Sequence, residues 1–550
     1  MLNWFKKGEH WVWFGASAVS VSVVLVFGLI IMIAFKGLSH FWPHEIYDLK
    51  VNNNGAVEQV VGEIHQVKTK KEITFLAEEG VELVKEVPQY LMKVGNRDIY
   101  GVDFRWISSD DLVDKNLVTA PNVVVIERYE WGNVYGQFDS IVIDGQVKPI
   151  NEDSIHLIDE MLAKGEAINS KIHHIEKTLM GRINYQIEIL RLEQKKLESL
   201  DKYDAATKAS FEQKRSELEQ AFLDYQADLR ELYKQSDSLG EIVLTVAGGQ
   251  KIRVQVKNIV KLWQPNEMGF FEDISFFVSS IGSFLWDDPR EANTEGGVFP
   301  AIIGTITMVI LMAVFVMPMG VIAAIYMSEY AREGALLRIV RISINNLAGV
   351  PSIVFGIFGL GFFVYIIGGN IDEMFYSYAL PSPTFGTPGL LWASLTMALL
   401  TLPVVIVSTQ EGLSRVPMNL REGALALGAT KSESIMKVVL PMSLPAIMTG
   451  LILAVARAAG EVAPLMLVGV VKLAPELPID FNAPFIHLER KFMHLGFHIY
   501  DVGFQSPNVE ASQPLVYATS LLLVVIIVSL NLGAISIRNR LRERYKSLSH

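Results

Sequence analysis

Cysteine does not occur among the 550 residues, which excludes disulfide staples, thiolate metal sites and cysteine nucleophiles. Charge is scarce as well: 19% of the residues are Asp, Glu, Lys or Arg, against 50% hydrophobic, so the chain is not wholly soluble. The formal net charge of −11 supplies no broad positive field, and nucleic acid is therefore not an expected partner. Catalytic signatures are missing too. There is no GxxxxGK[ST] phosphate loop, HExxH or GxSxG, so no catalytic residue is assigned and ATP hydrolysis is not expected of this chain.

Long apolar runs take their place. A bilayer core of about 30 Å needs roughly 20 apolar residues in a helix, and such runs occupy 11–35, 298–327, 342–367, 389–410, 442–471 and 514–537. The first follows Lys6 and Lys7 without a small-residue cleavage site behind it, and reads as a retained helix rather than a leader. Short segments carrying Arg332, Arg338 and Arg341, then Arg415, Arg421, Lys431 and Lys437, then Arg538 to Lys546, all fall on the cytoplasmic side if residue 1 does. Both termini are then cytoplasmic, and 368–388 and 472–513 lie outside.

That topology leaves residues 36–297 as one external, periplasmic insert. Its 51–150 and 240–264 parts read as β-rich, with runs such as Val123-Val124-Val125-Ile126 and a Gly248-Gly249 hairpin turn. Residues 152–236 are helical in texture. Ile168, Ile172, Ile175 and Leu179 are spaced 4-3-4, and Phe211, Leu218, Tyr225 and Leu232 recur every seven, with Asp201 to Asp204 breaking the pattern between them. The spacing predicts an antiparallel coiled-coil hairpin whose longer arm, 152–200, reaches roughly 70 Å at 1.5 Å per residue. The hairpin acts either as a tether for a soluble partner or as a passive insert.

Within the spans, charge is confined to Arg457 and Glu461. Four residues apart, they share one helix face and can pair. The pair either locks helices or lines a hydrated path, where the guanidinium fork suits a tetrahedral oxyanion and Glu461 orients it. His487, His494 and His498 could ligate a metal by spacing, but no matching carboxylate or cysteine accompanies them, and they read as surface histidines of a polar loop, with no metal assigned.

The segment between the fourth and fifth spans, Arg421-Glu422-Gly423-Ala424-Leu425-Ala426-Leu427-Gly428, then Val438-Val439-Leu440-Pro441, predicts a short helix, a reversal at Gly428 and a helix stop at Leu440-Pro441. It resembles the EAA loop of ABC-importer permeases, EAA-x3-G-x9-I-x-LP, with Gly423 for the second residue and Val438 for the Ile. Thr294-Glu-Gly-Gly297, Gly320 to Ala331, Gly349-Val-Pro351-Ser352 and Arg457-Ala-Ala-Gly460-Glu461-Val-Ala-Pro464-Leu465 sharpen the resemblance to the A-type permease subunit of the phosphate-specific ABC importer, close over 290–540 and loose over 11–35.

The resemblance implies a mostly α membrane protein of the type I ABC-importer permease kind, here with an α+β external domain bearing the coiled-coil hairpin. Residues 1–35 form the N-terminus and first helix, 36–297 the insert, and 298–550 the permease core with the 411–441 coupling loop. Implied partners are a homologous C-type permease, a cytoplasmic ATPase dimer that holds ATP-Mg, a periplasmic phosphate-binding protein and inner-membrane lipid. Glu422, Gly423, Ala424, Gly428, Leu440 and Pro441 would couple to the ATPase. Arg457, Glu461, Ser408 and Thr409 would line the solute path. Family members often carry an Arg in the fourth span where this chain has Val407. Another oxyanion, or a membrane-anchored coiled-coil scaffold without transport, remains an alternative.

Overall fold

Residues Glu9–Leu38 form helix α1, a largely apolar stretch without proline, in a computed structural model that describes residues 9–53, 55–76 and 81–546. Contacts divide the chain into two units, residues 41–283 and residues 1–40 with 284–550.

The 41–283 unit holds two antiparallel sheets. Strands β1 (Ile46–Asn53), β2 (Ala56–Leu76), β3 (Val81–Lys93) and β4 (Phe104–Ser108) lie in sequence order. The second sheet is built from β5 (Val124–Arg128), β6 (Val134–Ile143), β7 (Gln146–Pro149), β8 (Glu241–Thr245), β9 (Lys251–Gln255) and β10 (Ile259–Trp263), ordered β10-β5-β6-β8-β9 with β7 also on β6. The β-rich texture expected of this part is present, and β2 runs for 21 residues. Its lysine-rich part, Lys68 to Lys71, keeps its register with β3 from Gln89 to Glu86, so polar strand residues are carried by the ladder rather than by burial.

Between β7 and β8 the chain leaves the sheet as helices α2 (Glu152–His173) and α3 (Gly181–Ser199), joined by a π-helical turn at His174–Met180, and returns as α4 (Ala205–Asp237). Asn151 accepts from the Ser154 amide at 3.0 Å and Asp204 from the Thr207 amide at 2.8 Å, which caps α2 and α4. Ile158 and Met161 bury the root of α2 against Ile141 and Ile242 of the sheet. Further out, Tyr233 donates to Glu176 at 2.6 Å between α4 and the π turn. After β10 comes α5 (Phe270–Trp286).

In the other unit, among the described residues, six helices are long and apolar enough to cross a membrane: Trp11–Phe41, Phe299–Tyr330, Ser352–Phe375, Leu390–Ser414, Lys431–Gly460 and Val509–Glu543. The third span begins later than the expected residue 342. Helix α6 (Phe299–Ile325) is followed by a separate helix, α7 (Ala335–Leu347), because Pro351 has no amide hydrogen to give and holds an extended ψ of 135°. The span itself starts as α8 (Ser352–Phe358).

Helix α9 (Leu390–Ser414) is the centre of this unit and packs against α6 on one side and against α11 (Leu440–Gly460) on the other, with the short α10 (Met418–Ala426) between them in the chain. Met308, Met312 and Val316 of α6, Met397, Leu400 and Val405 of α9, and Ala454 and Ala458 of α11 form one buried cluster. Close approach depends on glycine. A Cβ at Gly320 would come within 2.6 Å of Val405, and one at Gly450 within 2.7 Å of Ser408.

The expected fifth span, 442–471, is also redrawn. It starts at Lys431, and it ends at Gly460, where Glu461 turns extended (φ −84°, ψ 134°) ahead of Pro464. The segment that follows, expected as a polar outer loop, runs back into the bundle. Leu390 and Leu391 donate to Arg490 and Leu488 carbonyls at 2.9 Å, the Leu495 amide donates to Thr305 Oγ1 at 2.9 Å, and Gly304 is pressed against the Met493 carbonyl. It closes with α12 (Leu495–Tyr500), a π turn, and the terminal α13 (Val509–Lys546), against which α1 packs at Gly37 and Tyr517.

His487, His494 and His498, all expected on the surface, are buried. His494 Nδ1 accepts from the Gly496 amide at 3.1 Å to cap α12. No cluster of three possible metal ligands occurs among the described residues. Burial holds the His494 and His498 imidazoles neutral by pushing them down to about 4 from 6.5. Both folded and opened chains are neutral at these sites above pH 6.5. As the pH falls from 6.5 towards 4, the opened chain takes up protons that the folded one refuses, so stability is lost. The thermal midpoint of the purified protein in detergent should fall across that window, and His498→Gln should flatten the fall.

Candidate functional site

Two constellations emerge, one at the end of α11 and one around α10. Arg457 sits in the last turn of α11, and its Nε lies 3.5 Å from Glu461 Oε1. Glu461 was expected on the same helix face. It has instead left the helix and reaches back from an extended backbone, its amide donating to the Ala458 carbonyl at 3.3 Å. The reason is local, since Gly460 and Pro464 bracket it and neither favours helix continuation.

The Arg457 side chain is 36% exposed and that of Glu461 23%. Glu461 meets the guanidinium at Nε, and the partly exposed side chain leaves the end of the fork available. Gly460 beside it is exposed, and a Cβ there would meet nothing within 4 Å. This opening lets a small anion reach a planar guanidinium whose side-on contact is already made by a carboxylate.

Ser408 and Thr409 are not brought to this point. Ser408 is pressed against Gly450, seven residues before Arg457 and so roughly 10 Å below it along the helix. Thr409 is fully buried, and its hydroxyl has no hydrogen-bond partner among the described residues. Val407, at the position where an arginine was weighed, is 39% exposed.

The second constellation is a protruding helix-turn. Glu422, Gly423 and Ala424 lie on α10, which has no fully buried residue, and Leu427 at its end is 91% exposed. Gly428 has φ +88°, its amide donates to the Leu425 carbonyl at 3.0 Å, and the Ala429 amide donates to Ala424 at 3.1 Å. These are the paired bonds of a Schellman ending, whose left-handed residue strongly favours glycine. Thr430 then caps the next turn reciprocally with Glu433. Gly423 sits in open space, so a glycine there has no steric cause.

The expected helix stop at Leu440-Pro441 does not occur. A π-helical turn over Ile435–Val439 lets the Leu440 amide donate to the Ile435 carbonyl, and the helix continues through Pro441 into α11. The wider turn absorbs the proline's missing donor and its ring. Leu440 and Pro441 are half-buried. They therefore join the knob to a membrane helix rather than ending one.

The base of the knob is fixed by a contact that sequence reasoning missed. Arg421 pairs with Glu329 at the end of the second span and also donates to the Leu413 carbonyl, while Lys431 donates to the Glu329 carbonyl. Glu329 was noticed only as part of a family pattern. A second missed group joins Asn293, Lys472 and Asp501: Lys472 Nζ lies 3.0 Å from the buried Asp501, and Asn293 Nδ2 donates to the Lys472 carbonyl at 2.9 Å. Their separation along the chain offers no sequence signal.

The family described as binding-protein-dependent transport system inner membrane component matches residues 316–547. Over 245 residues the chain is 32% identical to the phosphate transport system permease protein PstA 1 of Mycobacterium tuberculosis (strain CDC 1551 / Oshkosh), an overlap of 44% of this chain and 71% of that protein. The chain belongs to the PstA permease family. The PstA protein of Yersinia pestis is 35% identical over 187 residues, 34% of this chain and 57% of that one. An inward-facing structure of the MetNI methionine ABC transporter overlays 44% of this chain and 94% of its own at 18% identity and a TM-score of 0.32, a likeness too weak to build on. Membership of the PstA family makes the chain a multi-pass membrane permease and not an enzyme. Both constellations fall within the 316–547 match, and the 41–283 unit lies outside it.

Gly428→Val should unpick the turn, since a β-branched residue at φ +88° costs about 1–3 kcal/mol. The Leu427 to Ala429 amides should then exchange with deuterium about tenfold to a hundredfold faster, with α9 unchanged.

Proposed function

We propose that this chain is the permease subunit of an ABC importer for inorganic phosphate, forming half of the translocation path and coupling it to a separate ATPase. The carrying observation is the available fork of Arg457 beside Glu461 in the last turn of a membrane span. Arg457 and Glu461 are charged groups at the end of an otherwise apolar span, and a role on an anion path explains their presence there. The naming of its PstA relatives for phosphate transport supports the solute. Arg457 meets the anion and Glu461 orients the guanidinium. Ser408 and Thr409, lower in the bundle, would enter the path only if the helices part.

Glu422, Gly423, Ala424 and Gly428 dock on the ATPase, and Leu440 and Pro441 transmit the contact into α11. The ATP-Mg belongs to that partner. The remaining partners are a homologous C-type permease and a periplasmic phosphate-binding protein, in an inner membrane with both termini in the cytoplasm. Residues 36–297 form a periplasmic insert whose helices, 152–236, pair as a coiled coil and hold the binding protein near the mouth, ahead of the permease core at 298–550.

The test is phosphate uptake by the complex reconstituted in vesicles, with assembly measured alongside. Arg457→Lys should assemble and lose most uptake, because an ammonium does not reproduce the fork. Glu461→Gln should lose less. Loss of assembly together with uptake would make the pair a structural lock instead. Replacing 152–236 by a short Gly-Ser linker should leave maximal uptake near wild type and weaken uptake only at scarce binding protein. Loss of maximal uptake in a folded deletion variant would place the helices in the transport cycle itself.

A further inference from the structure

Helix α5 (Phe270–Trp286) has two apolar faces, and the protein uses one of them. On the packed face the Phe276 ring stands 5.0 Å from Trp263, with Lys261 Nζ 3.6 Å above it, and the Phe277 ring stands 5.8 Å from Trp42. Lys261 also donates to Ser279 and Ser280 at 2.9 and 3.1 Å. The helix is therefore held on one side of β10.

The opposite face carries Phe271, Ile274 and Val278, spaced three and four residues apart and all exposed, Phe271 at 84%. Gly282 continues the stripe, with open space where a Cβ would point, and Trp286 ends it, 73% exposed. A helix of 17 residues with Glu272 and Asp273 in its first turn is too short and too charged at that end to cross a bilayer. Left in water, a stripe of this kind would be an exposed apolar patch.

We infer that the outer face of α5 is a lipid-contact surface, lying in the plane of the membrane with Phe271, Ile274, Val278 and Trp286 in the boundary between headgroups and acyl chains. Chain continuity identifies the occupant. The Trp286 ring packs 5.6 Å from Phe299, the first residue of the second span, so the stripe ends where a membrane-crossing helix begins. Tryptophan and phenylalanine are the residues that settle at that depth. The helix contains no Lys or Arg. Burial of apolar surface rather than attraction to anionic headgroups therefore holds it there, which gives the contact a distinctive lipid dependence. The packed face then makes α5 a floor on which Trp42, Lys261 and Trp263 rest.

Because the natural chain has no cysteine, single Phe271→Cys, Val278→Cys and Glu272→Cys variants of the full chain can each carry one polarity-sensitive fluorophore. The assembled complex is placed in phosphatidylcholine vesicles containing lipid brominated near the head of its acyl chains. Labels at 271 and 278 should lose most of their emission to the brominated lipid and resist aqueous iodide. The label at 272 should behave the opposite way. Exchanging part of the phosphatidylcholine for phosphatidylglycerol should change neither result. Quenching of all three by iodide would place the stripe in water, and protection of 271 and 278 from both quenchers would place it under another subunit. Either outcome overturns the inference. The unmodified chain offers an independent reading through a photoactivatable lipid. Adducts on 270–286 support the contact, and adducts confined to the spans refute it.

Discussion

Helices in a bilayer gain little from hiding apolar surface from lipid, so they must approach closely enough for dispersion to hold them. In this chain that approach is organised around α9, and two glycines set it. Gly320 of α6 admits Val405, and Gly450 of α11 admits Ser408. Three helices are thereby fixed at backbone distance, and the position of Arg457 follows, because it lies two turns beyond the Gly450 contact on the same helix. A larger residue at Gly450 would push α11 away from α9 and move the guanidinium.

The same economy of polar groups explains the strap that follows α11. A backbone re-entering an apolar bundle must bring its own hydrogen bonds. The Leu390 and Leu391 amides at the start of α9 have no partners within their helix, and the carbonyls of Arg490 and Leu488 supply them. Thr305 does the converse, accepting from Leu495 while donating to the Ala301 carbonyl of its own helix. Arg490 is held in turn by Glu476 and Asp480, each at 2.7 Å. The strap is thus a structural member of the bundle rather than a tether between spans.

Much of this architecture was legible. Apolar length located the six helices that, among the described residues, are long and apolar enough to cross a membrane, and the glycine of the protruding turn announced its left-handed backbone because few other residues accept φ +88°. Arg457 and Glu461 could be paired from their spacing, although the carboxylate reaches its partner from outside the helix. Proline misled the reading at Pro441, since a π turn, which leaves no mark in composition, carries the helix past it. At Pro351 the opposite error arose, because apolarity on both sides of the residue hid a true break. The burial of His487, His494 and His498 was not legible: a segment with polar residues reads as solvated unless the bundle surface that receives it is known. Contacts such as Arg421 with Glu329, or Lys472 with Asp501, join residues that no local pattern connects.

The helices from Glu152 to Asp237 leave and re-enter the sheet on either side of a single strand. Ser140 of β6 faces Pro149 of β7 on one edge and Val243 of β8 on the other, so the two roots of the arm stand roughly 10 Å apart, two strand spacings. The arm is attached like a mast on a fixed base. Lengthening both helices together would move the tip by about 1.5 Å per residue and would change no strand register. Its reach is accordingly a quantity that evolution, or a designer, can adjust while the sheet and the permease stay as they are.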